Sequence, residues 1–134
     1  MACIIESEFK KKNYDGIEVS ASFYEYFYKT WLTNPMIFLE EQIIKPYSKI
    51  NFNGNEFCGD NFIKLLIELA SKGLEFANCK YHMIDSGSRQ IYILVNGLYK
   101  IGDNINNFSQ SFMISFCGEK KDRKWTLVNS ILMW

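Results

Sequence analysis

The apolar positions of this chain change period near Leu74. Before that point they recur at threes and fours, and after it at twos. Ile17, Ala21, Tyr24, Tyr28 and Trp31 share one helical stripe, which Phe23 and Phe27 widen. The spacing predicts a helix from Gly16 to about Leu32, with Asp15 as its N-cap and Glu18 in the capping-box position. Asn34-Pro35 predicts a second helix start, with Asn34 as cap and proline at the first helical position. That helix should run to about Lys45, because Pro46 forbids its continuation. Asn53-Gly54 lies between Tyr47–Phe52 and Asn55–Cys58. It predicts a tight hairpin, since both turn residues must take positive φ. Phe62, Ile63, Leu66, Leu69 and Ala70 then predict a third helix, with Asp60 as cap and Gly73 just past its end.

The later segments Phe76–Ile84, Gln90–Ile101, Asn107–Cys117 and Trp125–Trp134 read as long strands joined by turn-rich stretches. Helices segregated from a run of antiparallel strands predict an α+β fold. The three helices should pack in a strongly curved antiparallel sheet, a half-open cone. Residues 1–15 read as a charged N-terminal tail and 16–134 as a single domain.

A sheet with one wet face should alternate apolar and polar residues. Here Ile91-Tyr92-Ile93-Leu94-Val95 and Phe112-Met113-Ile114 have no polar break. The helices can cover one face, so the other is expected to meet a second protein. Strand parity sorts the two sides. Phe108 and Phe112 suit the concave side beneath the helices. Tyr92, Leu94, Asn96, Ser111, Met113, Leu127, Asn129 and Ile131 are then expected on the convex side. Apolar anchors mixed with amides and hydroxyls suit the core of a protein interface.

Composition narrows the partner. The 134 residues carry 15 basic and 15 acidic side chains, for a formal net charge of zero. A general nucleic-acid or membrane-surface binder would usually carry a basic field. No apolar run approaches the length of a membrane helix, and the N-terminus lacks the apolar core of a secretion signal. The basic stretch Glu119-Lys120-Lys121-Asp122-Arg123-Lys124 offers a weak RNA contact at most, since such hairpin tips are usually just solvated. The Lys10–Lys12 run reads the same way.

Little here points to chemistry. Cys3, Cys58, Cys79 and Cys117 form no CxxC pair, and His82 is the one histidine. The reading is reduced, mostly buried thiols, without metal or cofactor. His82 and Asp85 stand three apart on a strand, so they face opposite sides and make a poor acid–base pair.

Several local features, in order, resemble the nuclear transport factor 2-like family over nearly the whole chain from about Glu18. They are the aromatic helix Phe23–Tyr28, the hairpin Phe52–Gly59, Asp85, Val95-Asn96-Gly97, Phe108-Ser109-Gln110-Ser111-Phe112, and Trp125 followed by Asn129. The stretch Lys80–Ser88 looks like the branch that supplies the small subunit of the mRNA export receptor. The resemblance implies a non-catalytic subunit that pairs, sheet to sheet, with the related domain of a larger receptor chain. It also implies shuttling between nucleus and cytoplasm through pores lined with phenylalanine-glycine repeats. Phe52 and Trp134 are the candidates to receive a repeat phenylalanine; Trp31 reads as core.

Other members of the family do other things. One branch forms homodimers that import Ran-GDP, using acidic residues after the hairpin aromatic and in a later loop. Here those places hold Asn53 and, in Lys100–Asn104, a single acid at Asp103. Dehydratases and isomerases on the same fold need a carboxylate or histidine inside an open cone. The inward candidates here are large and apolar, which predicts a filled cone and no enzyme.

Overall fold

A computed structural model describes residues 2–87, 89–118 and 123–134, with the backbone alone for 2–15. Its elements are α1 (Ala2–Thr33), α2 (Ile37–Glu40), β1 (Ile44–Phe52), β2 (Asn55–Cys58), α3 (Asp60–Ser71), β3 (Glu75–Asp85), β4 (Gln90–Ile101), β5 (Asn104–Cys117) and β6 (Lys124–Met133). The strands form one six-stranded sheet in the order β2-β1-β6-β5-β4-β3, curved but not closed. All neighbours are antiparallel except β1 and β6, which pair in parallel.

The helices fill the concave side. Val19, Phe23, Phe27 and Trp31 recur every four residues along α1, and all are fully buried. This stripe is rotated from the expected one: Phe23 and Phe27 are its centre, while Ile17 is exposed. Phe112 meets Phe27 edge-on at 4.7 Å and Phe23 at 5.4 Å, so α1 is seated on β5 through its rings. Phe38 stacks on Phe27 at 5.1 Å. Burying each such ring contributes about 1.5–3 kcal/mol. The Trp31 indole N–H donates to the Leu66 carbonyl at 2.8 Å, which ties α1 to α3 and satisfies the one polar atom of a core tryptophan.

Several helix boundaries differ from expectation. The backbone of α1 is already helical at Ala2, so Asp15 lies within the helix instead of capping it. The second helix is a single turn, ended by Gln42 in a left-handed conformation (φ 57°), and the chain enters β1 at Ile44. Pro46 therefore lies inside a strand. It sits where six residues of β1, Ile44 to Lys49, run against three of β6, Leu127 to Asn129. The missing N–H costs no ladder bond there. Buried Ser48 closes the gap, accepting from the Lys45 N–H and donating to the Leu127 carbonyl. The N-cap of α3 is Gly59, not Asp60, and no side chain bonds to that end. The Asn53-Gly54 turn is as expected, with φ of 50° and 94°.

Candidate functional site

β3 to β6 carry the outer face in transverse rows. Ile84, Tyr92, Met113 and Asn129 pair in sequence across the four strands. The next row is His82, Leu94, Ser111 and Ile131. A third holds Lys80, Asn96, Ser109 and Met133. The apolar members are well exposed: Ile84 70%, Tyr92 44%, Leu94 42%, Ile131 45% and Met133 59%. Single exposed apolar residues are ordinary on a protein surface, but a contiguous patch of them marks an interaction site. A trough of about 440 Å³ crosses this patch between the first two rows.

Seven of the eight residues expected on this face are there. Leu127 is not: it is fully buried among the core residues. The cause is a bulge in β6. Met113 opposes Asn129 and Ile114 opposes Leu127, so Val128 is an extra residue. One inserted residue reverses the parity of everything before it. Trp125 is turned inward for the same reason, meeting Phe23 at 5.8 Å and Tyr26 at 5.3 Å. Ile84, His82 and Met133 belong to the face but were not foreseen. The alternation Lys80-His82-Ile84 against Cys79-Tyr81-Met83 was the available signal for β3.

His82 is exposed on the outer side, whereas Asp85 is half-buried where α1 comes close. A Cβ on Gly16 would lie 2.7 Å from Asp85 Oδ2 and 2.8 Å from Met83 Cε, so α1 passes close to the ends of these two side chains. The Asp85 carboxylate accepts from the Gly87 N–H at 2.8 Å, a turn-forming contact.

Inside the cone, polar groups form one chain across the sheet floor. Tyr28 O–H donates to Gln110 Oε1 at 2.7 Å, Gln110 Nε2 to Ser130 Oγ at 3.1 Å, and Ser130 O–H to the Ser111 carbonyl at 2.8 Å. Burial pushes the Tyr28 hydroxyl well above its ordinary range, with Cys79 and Tyr24 adding to it. Tyr24, stacked on Tyr81 at 4.7 Å, is pushed up to about 12, first by burial and then by Cys79. Burial also raises the Cys79 thiol, against a lowering hydrogen bond from Tyr24. Cys79 and Cys58 are half-buried, but Cys117 is exposed, against the expectation of buried thiols; Cys3 lies outside the described side chains. Among the described residues no cluster of histidine, cysteine, aspartate or glutamate could hold a metal ion. No helix among them is long and apolar enough to cross a membrane.

Phe52 and Trp134 meet edge-on at 5.3 Å, and Tyr99 stacks on Trp134 at 4.3 Å. Sequence reasoning missed Tyr99. The Trp134 backbone N–H donates to Asn53 Oδ1 at 3.0 Å, which fixes the tryptophan against the β1–β2 turn. Of the basic stretch, residues 119–122 lie outside the described residues, as do the side chains of Lys10–Lys12. The Arg123 guanidinium lies 5.7 Å from the centre of the Phe116 ring, and Arg89 lies 5.6 Å from the same ring.

Nuclear transport factor 2 (Ntf2) from Cryptosporidium parvum superposes with a TM-score of 0.63 at 18% identity, covering 88% of this chain and 93% of that one. The fold is nuclear transport factor 2-like. A structure of the yeast deubiquitinase Ubp3 and Bre5 cofactor complex matches with a TM-score of 0.61 at 15% identity, over 86% of this chain and 92% of the other. A cystatin-like domain of unknown function from Nostoc punctiforme PCC 73102 matches at 0.66 and 9% identity, over 89% and 76%. No family model matches the sequence, and no curated protein does. The nuclear transport factor 2-like fold is thus shared with a transport factor, a cofactor complex and a domain of unknown function.

Proposed function

We propose that this chain is a non-catalytic binding subunit whose outer sheet face docks on the related domain of a larger protein. In its specific form the reading is the small subunit of a heterodimeric nuclear mRNA export receptor, moving between nucleus, pore and cytoplasm. The observation that carries it is the exposed apolar patch spanning β3 to β6, with Ile84, Tyr92, Leu94, Ile131 and Met133 open to solvent. A standard interface covers about 800 Å² per partner, a scale that a four-stranded face can supply. The inner face favours binding over catalysis. The cone is filled by Phe23, Phe27, Trp31 and Phe112, while His82 points outward. A charged Ran-type contact has little support, because Asn53 stands where an acid would be needed and its amide oxygen is engaged by Trp134. The Phe52–Tyr99–Trp134 cluster supplies the ring edges on which a nucleoporin phenylalanine could stack.

The experiment is co-purification of the tagged chain from its native cells, beside a Leu94→Asp/Ile131→Asp variant. The expected result is a larger chain bearing a related domain, lost with the double variant, and nuclear retention of polyadenylated RNA when the chain is depleted. Recovery of the wild-type chain alone would reject the heterodimer.

A further inference from the structure

A second depression shares no residue with the trough. It is a cleft of about 550 Å³ between the α2–β1 connection and the start of β6. The first wall carries Glu40 and Glu41, placed where Gln42 turns the chain out of α2, with Lys45 just beyond. The second wall carries Arg123 and Lys124. Among the described residues neither acid lies within ion-pair distance of these bases, so the charges do not neutralise one another. Tyr26 links the walls. Its hydroxyl donates to Glu41 Oε2 at 2.7 Å, and its ring packs on Trp125 at 5.3 Å. The basic wall has a further property. Arg123 and Trp125 stand two apart and both turn inward, the one over the Phe116 ring and the other against Phe23. Arg123 Nε and Trp125 Nε1 are buried and have no hydrogen-bond partner among the described residues; no other buried side-chain nitrogen or oxygen there is left so. Buried donors in folded proteins are nearly always paired, and each exception calls for a cause. Here both exceptions fall on one wall of one cleft.

We propose that this cleft binds a small zwitterion, an α- or ω-amino acid, with its carboxylate on the Arg123–Trp125 wall and its ammonium on Glu40 and Glu41. The site is independent of the outer docking face. A carboxylate accepts through two oxygens, so one such group takes hydrogen bonds from the guanidinium and from the indole N–H together. Lys124 adds positive charge on the same wall. Glu40 is the freer acid for the ammonium, because Glu41 is already held by Tyr26. Simpler ions satisfy one wall only. Inorganic phosphate brings acceptors, but it sets negative charge against Glu40 and Glu41 with no cation to offset them, and like charges across a contact are disfavoured. A plain amine meets the acids and offers no acceptor to the two buried donors. A ligand with both charges, held apart by its methylenes, satisfies both walls at once.

NMR of the isotope-labelled full chain tests this through the indole N–H signals of Trp31, Trp125 and Trp134. The probes are glycine, β-alanine, γ-aminobutyrate and ε-aminocaproate, a series in which the two charges move apart. Acetate, ethylammonium and inorganic phosphate are the comparisons. At least one zwitterion should shift the Trp125 signal downfield in a saturable way, about two- to fivefold tighter than acetate, the scale of one exposed ion pair. Trp31, already bonded to the Leu66 carbonyl, and Trp134 should stay in place. Ethylammonium should leave Trp125 unmoved. Glu40→Gln/Glu41→Gln should bring the zwitterion down to the affinity of acetate, and Arg123→Gln should abolish saturation by both. Lys124→Gln, at an exposed side chain, should weaken both without disturbing the packing. Circular dichroism checks that each variant is folded. Equal affinity for acetate and every zwitterion, or tighter binding of phosphate, would make the cleft an anion site and overturn the zwitterion. Shifts that never saturate, or that move Trp134 as far as Trp125, would overturn the site itself.

Discussion

Tyr28 joins the helical layer to the sheet floor through a hydroxyl whose acceptor, Gln110, is itself fully buried. Its folded-state pKa is raised well above the ordinary value of 10.0, because burial penalises the phenolate. The sign follows from linkage. Below pH 10 the tyrosine is neutral both folded and unfolded, and its contribution to stability is fully present. Above pH 10 the unfolded chain releases that proton while the folded chain keeps it, so stability falls as pH rises toward the folded pKa. Tyr24, held near 12, adds to the same slope until that pH. Urea unfolding of wild type and Tyr28→Phe between pH 9 and 12 should show a shallower alkaline decline in the variant. The difference should be up to roughly 1.4 kcal/mol per pH unit, one proton's worth. At neutral pH the variant should lose about 1 kcal/mol through the unpaired Gln110 carbonyl. Equal alkaline slopes would mean that Tyr28 titrates freely and is not buried against Gln110.

Among the elements, the β3–β4 pair shows how the cone is bent. Ala77 pairs with Leu98 and Lys80 with Asn96, so β3 holds one residue too many, and Asn78 takes φ 53° to accommodate it. The bulge drives the β3 backbone toward β4, and Gly97 is there to receive it. A Cβ at Gly97 would lie 2.7 Å from Cys79 Sγ, 3.0 Å from Cys79 Cα and 3.1 Å from the Ala77 carbonyl. The sulfur could swing away, but the backbone atoms could not. Gly97→Ala should therefore cost roughly 1–3 kcal/mol in chemical denaturation, the range for overpacking. Adding Cys79→Ala should recover only part of it; full recovery would place the clash on the sulfur alone. These bulges also set the limit of what the sequence discloses. Alternation made β4 legible to the residue and β5 from Asn107 onward, three residues after its start at Asn104, and with them Tyr92, Leu94, Asn96, Ser111 and Met113. Leu127 was misplaced because a ladder slip at Val128 leaves no mark where two apolar residues, Leu127 and Val128, stand side by side. The second helix was overcalled at both ends: its N-cap is Met36 and not Asn34, and its end is set by Gln42 and by the Ser48 bridge to Leu127. That bridge belongs to the parallel pairing of β1 with β6, a contact between distant parts of the chain that local pattern does not encode.

Across the whole molecule, charge and apolar surface are separated in a way that predicts how it associates. The chain is formally neutral, and charged residues on the outer face stand at its margins: Lys80 toward one end of the rows, Lys49 with Glu56 at the far side. Exposed charges more than about 10 Å apart are largely screened at 0.1 M salt. The centre holds Tyr92, Leu94, Met113 and Ile131, whose burial releases water and involves no ion pair. Association through this face should therefore change less than about threefold between low and high sodium chloride, where an interface steered by opposite charges would weaken steeply. Sodium sulfate should strengthen it, since an excluded salt favours burial of apolar surface. Sedimentation equilibrium across a salt series measures both effects on one sample. A dimer that dissolves in sodium chloride would be held at its charged margin by Lys80 and its neighbours. The exposed apolar rows would then need another occupant, because a contiguous exposed apolar patch marks an interaction site.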